Sequence, residues 1–132
     1  MNYWLVKTEA GTYSWANLEK DKKTRWDGVR NFQARNHLKA MKKGDLVFIY
    51  HTGDEKAIIG CAKIVREFYH DPGDSEWVVV DLGADKKLKK SVSLSQIKAT
   101  KSLANMVLVR NSRLSVQPVQ KEEYELVISL SE

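Results

Sequence analysis

Asp45 to His51 reads Asp-Leu-Val-Phe-Ile-Tyr-His, and this run with its continuation decides the fold. It is apolar on both alternating faces apart from its ends, the pattern of a strand buried on both sides. Thr52-Gly53-Asp54 turns the chain into a second strand over about Ala57 to Phe68. Gly60 inside that strand marks a bulge or sharp bend, a device found where a sheet closes into a barrel. Asp71-Pro72-Gly73-Asp74 is a strong turn, and Glu76 to Leu82 supplies a third strand. Two hairpins in succession define an antiparallel meander.

Working outward, Tyr3 to Val6 is a short aromatic and β-branched strand at the start of the chain. Ser14 N-caps a short helix carrying Trp15 and Leu18, and Glu19 to Arg25 reads as a polar loop. Asn31 to Lys43 is an amphipathic helix with Ala34, Leu38 and Met41 on one side and Gly44 as its stop. After the meander, Asp85 to Lys90 (Asp-Lys-Lys-Leu-Lys-Lys) reads as an exposed basic connection. Ser93 and Gln96 form a capping box over another short helix. Leu114-Ser115-Val116 is a last short strand ended by Pro118, and Lys121 to Leu130 is the closing helix. The expected fold class is α+β: a small antiparallel or mixed β-barrel, or a strongly curved sheet, with short helices covering its openings. One domain spans residues 1–132.

Composition bounds the function. With 22 Lys and Arg against 17 Asp and Glu, the chain carries a formal charge of +5 and a pI near 9.3. This permits contact with phosphate backbones without demanding it. The single cysteine, Cys61, excludes an internal disulfide and lies in the apolar run Ile58-Ile59-Gly60-Cys61-Ala62, the setting of a buried inert thiol. No apolar run reaches the roughly 20 residues of a membrane span, and the N-terminus lacks a signal-peptide layout. A soluble monomer of a reducing compartment, the cytoplasm with a nucleoid or nucleus open to it, is expected. His37, His51 and His70 lack metal-ligand spacing, and no metalloprotease, P-loop or dinucleotide fingerprint occurs, so neither metal nor cofactor is expected.

The chemistry concentrates in Trp26 to Arg35 (Trp-Asp-Gly-Val-Arg-Asn-Phe-Gln-Ala-Arg). A loop that only turned the chain would need Gly28 but not an indole and a guanidinium beside it. Gly28 lets backbone approach a partner, between a flat stacking surface and polar groups. That composition suits a planar, hydrogen-bonding ligand such as a nucleobase.

Four segments carry a family resemblance: Tyr3-Trp4-Leu5-Val6-Lys7-Thr8-Glu9; Trp26 to Asn31 with Gln33-Ala34-Arg35; Met41 to Asp45 through Tyr50-His51-Thr52; and Arg113-Leu114-Ser115-Val116 before Pro118. In order and spacing the chain resembles the EVE domain of the PUA-like superfamily over essentially its whole length. It departs from the family pattern at Ala10, where proline is usual, and at Thr52, where serine is usual. The added methyl of Thr52 bears on pocket size. The resemblance implies a PUA-like β-barrel with a cleft for one base, in a module that reads modified bases in DNA or RNA.

Reading a modified base requires taking it out of its stack, at a cost of a few kcal/mol in a duplex. Stacking on an aromatic ring returns ~1–3 kcal/mol per base. The expected base-binding residues are Trp26 as stacking wall, with Gly28, Val29, Arg30 and Asn31 on its loop, Tyr50, His51 and Thr52 opposite, and Ser115. Trp26→Ala is expected to abolish selective binding and leave the fold intact. Lys7, Arg35, Arg110 and Arg113 are the candidates for phosphate contact. Each has a plainer alternative: Asn31 as helix N-cap, Asp27 pairing Arg30 to brace the loop, His51 as a satisfied structural histidine, the basic residues as solvated surface. Trp4, Trp15 and Trp77 read as core. Two other functions remain open on the same residues. An RNA- or nucleotide-processing enzyme would use Lys7 with Glu9, or His51 with Asp27, as acid and base; a protein-interaction adaptor would use the cleft for a partner.

Overall fold

The computed structural model describes residues 1–132. Six strands form one sheet: β1 (Tyr3–Thr8), β2 (Lys23–Trp26), β3 (Leu46–His51), β4 (Ala57–Asp71), β5 (Asp74–Ser93) and β6 (Val116–Val119). Their order across the sheet is β2-β5-β4-β3-β1-β6. The meander β3-β4-β5 is antiparallel as its turns require, β1 lies parallel to β3, and β6 closes antiparallel on β1. The fold is therefore α+β with a mixed sheet.

Five helices cover it: α1 (Trp15–Asp21), α2 (Phe32–Ala40), α3 (Leu94–Lys98), α4 (Val107–Arg110) and α5 (Lys121–Leu130). None is long and apolar enough to cross a membrane. Because β1 and β3 are buried on both faces, alternate residues feed two separate cores. Trp4, Val6, Val47 and Ile49 join Trp15 and Leu18 of α1 and Ala34 and Leu38 of α2. Leu5, Phe48, Tyr50 and Cys61 join Leu108 of α4 and Tyr124 and Val127 of α5. In the second core the Tyr124 hydroxyl donates to Cys61 Sγ at 3.2 Å, and burial pushes the thiol's pKa up, as fits an inert cysteine.

Several sequence expectations change. Lys23 to Trp26, expected at the end of a loop, is an edge strand paired with β5 through Trp26↔Val80. The basic run Asp85 to Lys90 is the continuation of β5, with Leu88 buried among exposed lysines. Pairing with β4, for example Cys61↔Lys86, supplies there the order that local composition denies. Pro118 lies inside β6 opposite Trp4, tolerated because β6 is the sheet's outer strand. Helix α2 begins at Phe32, since Asn31 is its N-cap and accepts from Ala34 N at 2.9 Å.

The sheet bends at Gly60, where the register of β4 shifts against both neighbours. The expected barrel is incomplete: β2 and β6 are the two edges, and α2 packs against both β5 and β6 across the gap. A side chain at Gly60 is blocked, because a Cβ there would lie 2.6 Å from the Trp15 indole. Gly60→Ala is accordingly expected to destabilise the protein by about 1–3 kcal/mol through overpacking. Urea denaturation would read this as a lower midpoint at unchanged slope; an unchanged midpoint would mean that the indole moves aside freely.

Candidate functional site

The gap between the two edges of the sheet is a cleft of about 440 Å³. Its walls come from five places: Lys7 and Thr8 at the end of β1, Thr12 and Tyr13 before α1, Thr24 to Trp26 of β2, the loop Asp27 to Arg30, and Ser115 before β6. They meet because β1 holds the chain before β6 beside it, Lys7 N donating to Ser115 O at 2.9 Å. The volume falls within the roughly 300–1,000 Å³ usual for small-ligand sites. Only Tyr13, Trp26 and Val29 of the twelve lining residues are hydrophobic. Lys7, Arg25 and Arg30 outnumber Asp27, so the lining carries a positive excess suited to an anionic ligand.

Each wall is fixed by its local structure. Trp26 is 8% exposed, and Tyr13 meets it edge-to-face with centroids 6.2 Å apart. Trp26 thus lines the cleft while belonging to the core, which corrects the expectation of a free stacking ring in a polar loop. The Tyr13 hydroxyl donates to Asp21 at 2.8 Å, and the backbone oxygen of Tyr13 receives the Thr8 hydroxyl at 2.6 Å. Gly28 has φ +79°, with nothing within 4 Å of where a Cβ would stand. Its role is the left-handed turn itself rather than close approach of the backbone.

Asp27 and Arg30 do not pair with each other. Asp27 lies 3.6 Å from Arg25 Nε, while Arg30 reaches Asp71 at 3.5 Å and its own loop through Val29 O at 3.1 Å. Asp71 is held in the β4–β5 turn by accepting from Gly73 N at 2.8 Å, so Arg30 ties the loop to the meander. Lys7 Nζ donates to Ser112 O at 2.6 Å, and partial burial of its ammonium lowers its pKa below the ordinary lysine range.

Of the residues expected to contact a base, the cleft brings together Trp26, Gly28, Val29, Arg30 and Ser115, with Lys7 from the phosphate set. Asn31, Tyr50, His51 and Thr52 are not on its walls. Asn31 is spent as an N-cap. Tyr50 is 4% exposed in the second core, its ring centroid 5.8 Å from Lys7 Nζ. His51 is 5% exposed: its Nε2 accepts from Trp15 N at 3.0 Å, so Nδ1 carries the proton and donates to Glu55 at 2.6 Å. With both ring nitrogens engaged, and Asp27 beside Arg25, the His51–Asp27 pair considered from sequence is not assembled. Thr52 bonds back to β1 through Thr8 O. Arg35 binds Glu76 O at 2.9 Å and Arg110 binds Asn105 at 3.0 Å, both away from the cleft, as is Arg113. Thr8, Thr12, Tyr13, Thr24 and Arg25 line it without having been singled out. For Thr24 and Arg25 the signal would have been the second strand hidden in the supposed loop before Trp26.

The EVE domain family model matches residues 2–130, and the chain belongs to that family. Human thymocyte nuclear protein 1 is 35% identical, over 99% of this chain and 74% of its own. The NMR structure of Rpa0253 from Rhodopseudomonas palustris superposes with a TM-score of 0.95 at 45% identity, covering 99% of this chain and 93% of that one. The crystal structure of human THYN1 protein in complex with 5-methylcytosine-containing DNA superposes with a TM-score of 0.91 at 33% identity, covering 100% and 98%.

Since Trp26 is part of the core, Trp26→Ala is expected to cost about 3–5 kcal/mol of stability. Thermal unfolding would show it; a melting temperature within a degree or two of the parent would return Trp26 to a purely ligand-facing role.

Proposed function

We propose that this protein is a nucleic-acid-binding module that takes one flipped-out, modified base of DNA into the cleft between β2 and the chain leading into β6. The observation that carries this reading is the cleft's lining, which includes the aromatic residues Tyr13 and Trp26, the hydroxyl-bearing residues Thr12, Thr24 and Ser115, and the basic residues Lys7, Arg25 and Arg30. Tyr13 and Trp26 offer apolar surface to the base, and the hydroxyls and backbone of the Asp27–Arg30 loop address its polar edge. Lys7, Arg25 and Arg30 meet the phosphates on either side. The solved complex of the human relative with 5-methylcytosine-containing DNA supports a methylated pyrimidine as the base class. The module acts by binding, as a monomer, wherever such DNA is exposed, in the cytoplasm, a nucleoid or a nucleus.

Oligonucleotides differing only in one modified cytosine provide the test. The methylated form is expected to bind more tightly, and Arg30→Met, whose parent side chain is 45% exposed, to weaken binding without unfolding the protein. Equal affinity for modified and unmodified strands across salt concentrations would overturn the reading. Affinity is also expected to fall as pH rises through the lowered Lys7 pKa, because its positive charge is present below that value and lost above it. In Lys7→Met that portion of the fall should vanish; an unchanged pH profile would remove Lys7 from the contact.

A further inference from the structure

Beside the cleft, on the outer side of the same loop, Phe32 and Trp77 form an open aromatic step. Their rings stack with centroids 5.2 Å apart at 27°, and Phe32, the first residue of α2, remains 57% exposed. A phenyl ring left this open at the head of a helix whose own apolar face is buried elsewhere contributes little to folding. Two guanidiniums flank it. Arg35 lies 4.8 Å from the Phe32 centroid and 5.6 Å from that of Trp77, and Arg30 lies 5.5 Å from Trp77. Arg35 has no carboxylate in ion-pairing range: it donates to the backbone oxygen of Glu76, and its Nε is buried without a partner. No ion pair therefore neutralises its charge. Arg30 belongs to both features, lining the cleft and covering Trp77.

An exposed ring, a neighbouring ring behind it and two cations beside them are the parts of a stacking platform for single-stranded nucleic acid. The same parts do not suit a protein partner's apolar anchor, since the patch is narrow and rimmed by positive charge. We infer that the Phe32–Trp77 step is a second nucleotide subsite, which stacks the base next to the flipped one on the same strand while Arg35 and Arg30 hold the phosphate between them. This inference rests on the proposed cleft and extends it from one base to a dinucleotide step. Arg30, shared by the two, is the hinge of the register.

The test compares 5-methyl-deoxycytidine monophosphate with a trinucleotide carrying the same base at its centre and fluorescent 2-aminopurine on one side or the other. Phe32→Ala is expected to weaken the trinucleotide about five- to a hundredfold and leave mononucleotide binding unchanged. Stacking should quench 2-aminopurine on the parent protein and not on Phe32→Ala; Phe32→Trp should restore both effects, and Phe32→Leu neither. Circular dichroism establishes that each variant is folded. If the mononucleotide perturbs cleft resonances while Phe32→Ala leaves trinucleotide affinity and quenching unchanged, the platform is overturned and the cleft stands. If the mononucleotide leaves the cleft untouched yet the trinucleotide depends on Phe32, the platform holds and the cleft reading fails. Binding of neither ligand overturns both.

Discussion

The contact between Trp15 and Gly60 is the constraint on which the working part of the molecule depends. The indole occupies the space that any side chain at residue 60 would need. It seats α1 against the sheet, and His51 reinforces the seat by accepting the Trp15 backbone N–H. Everything on the cleft's first wall then follows from chain continuity. Thr12 and Tyr13 lead into α1 through its N-cap Ser14, and β2 begins two residues after the helix ends. The imidazole, a catalytic candidate in the sequence, is instead a joint, with Glu55 fixing its tautomer. An aromatic side chain on a glycine is a close-packed arrangement with little tolerance, which explains why a site made of loops can have a defined shape.

The second determinant is an incomplete closure. Had β2 paired with β6, the sheet would have closed as a barrel and its edges would have disappeared. Instead the edges stand apart with polar residues between them, and α2 bridges the remainder of the gap. The cost of an unpaired edge is contained because both edge strands have only four residues and β6 carries Pro118. The place where the sheet fails to close is the place of the proposed cleft.

Much of this was legible in the chain. Asp45 to Leu82 announced its three strands through apolar runs and turn residues, and the closing helix was readable to the residue. The loop Trp26 to Arg30 stood out because its residue types exceed what a turn needs. The opposite wall was not legible, for a definite reason. A strand buried on both faces, such as Leu46 to His51, does not reveal which residue looks toward which core. Tyr50 consequently fell into the second core, and His51 toward Trp15. Lys23 to Trp26 and Asp85 to Lys90 were misread for a related reason: their strand character comes from β5 and β4 respectively, not from their own alternation. Phe32 and Trp77, passed over as helix and core, lacked any local signal, since 45 positions separate two rings that meet only in the folded chain.

The bond from Lys7 to Ser115 has a thermodynamic meaning beyond its geometry. It joins residues near opposite ends of the chain, so the cleft is complete only when the most distant pairing of the fold has formed. Pairings of that sequence separation are entropically expensive and tend to be slow to form. A ligand spanning the cleft from Arg25 to Ser115 would bind the native state and not partly assembled ones. Binding and folding are then linked quantities: occupancy at a hundred times the dissociation constant adds about 2.7 kcal/mol to global stability. A ligand held there would take the position of a missing strand contact, and the protein would be most resistant to unfolding while carrying it.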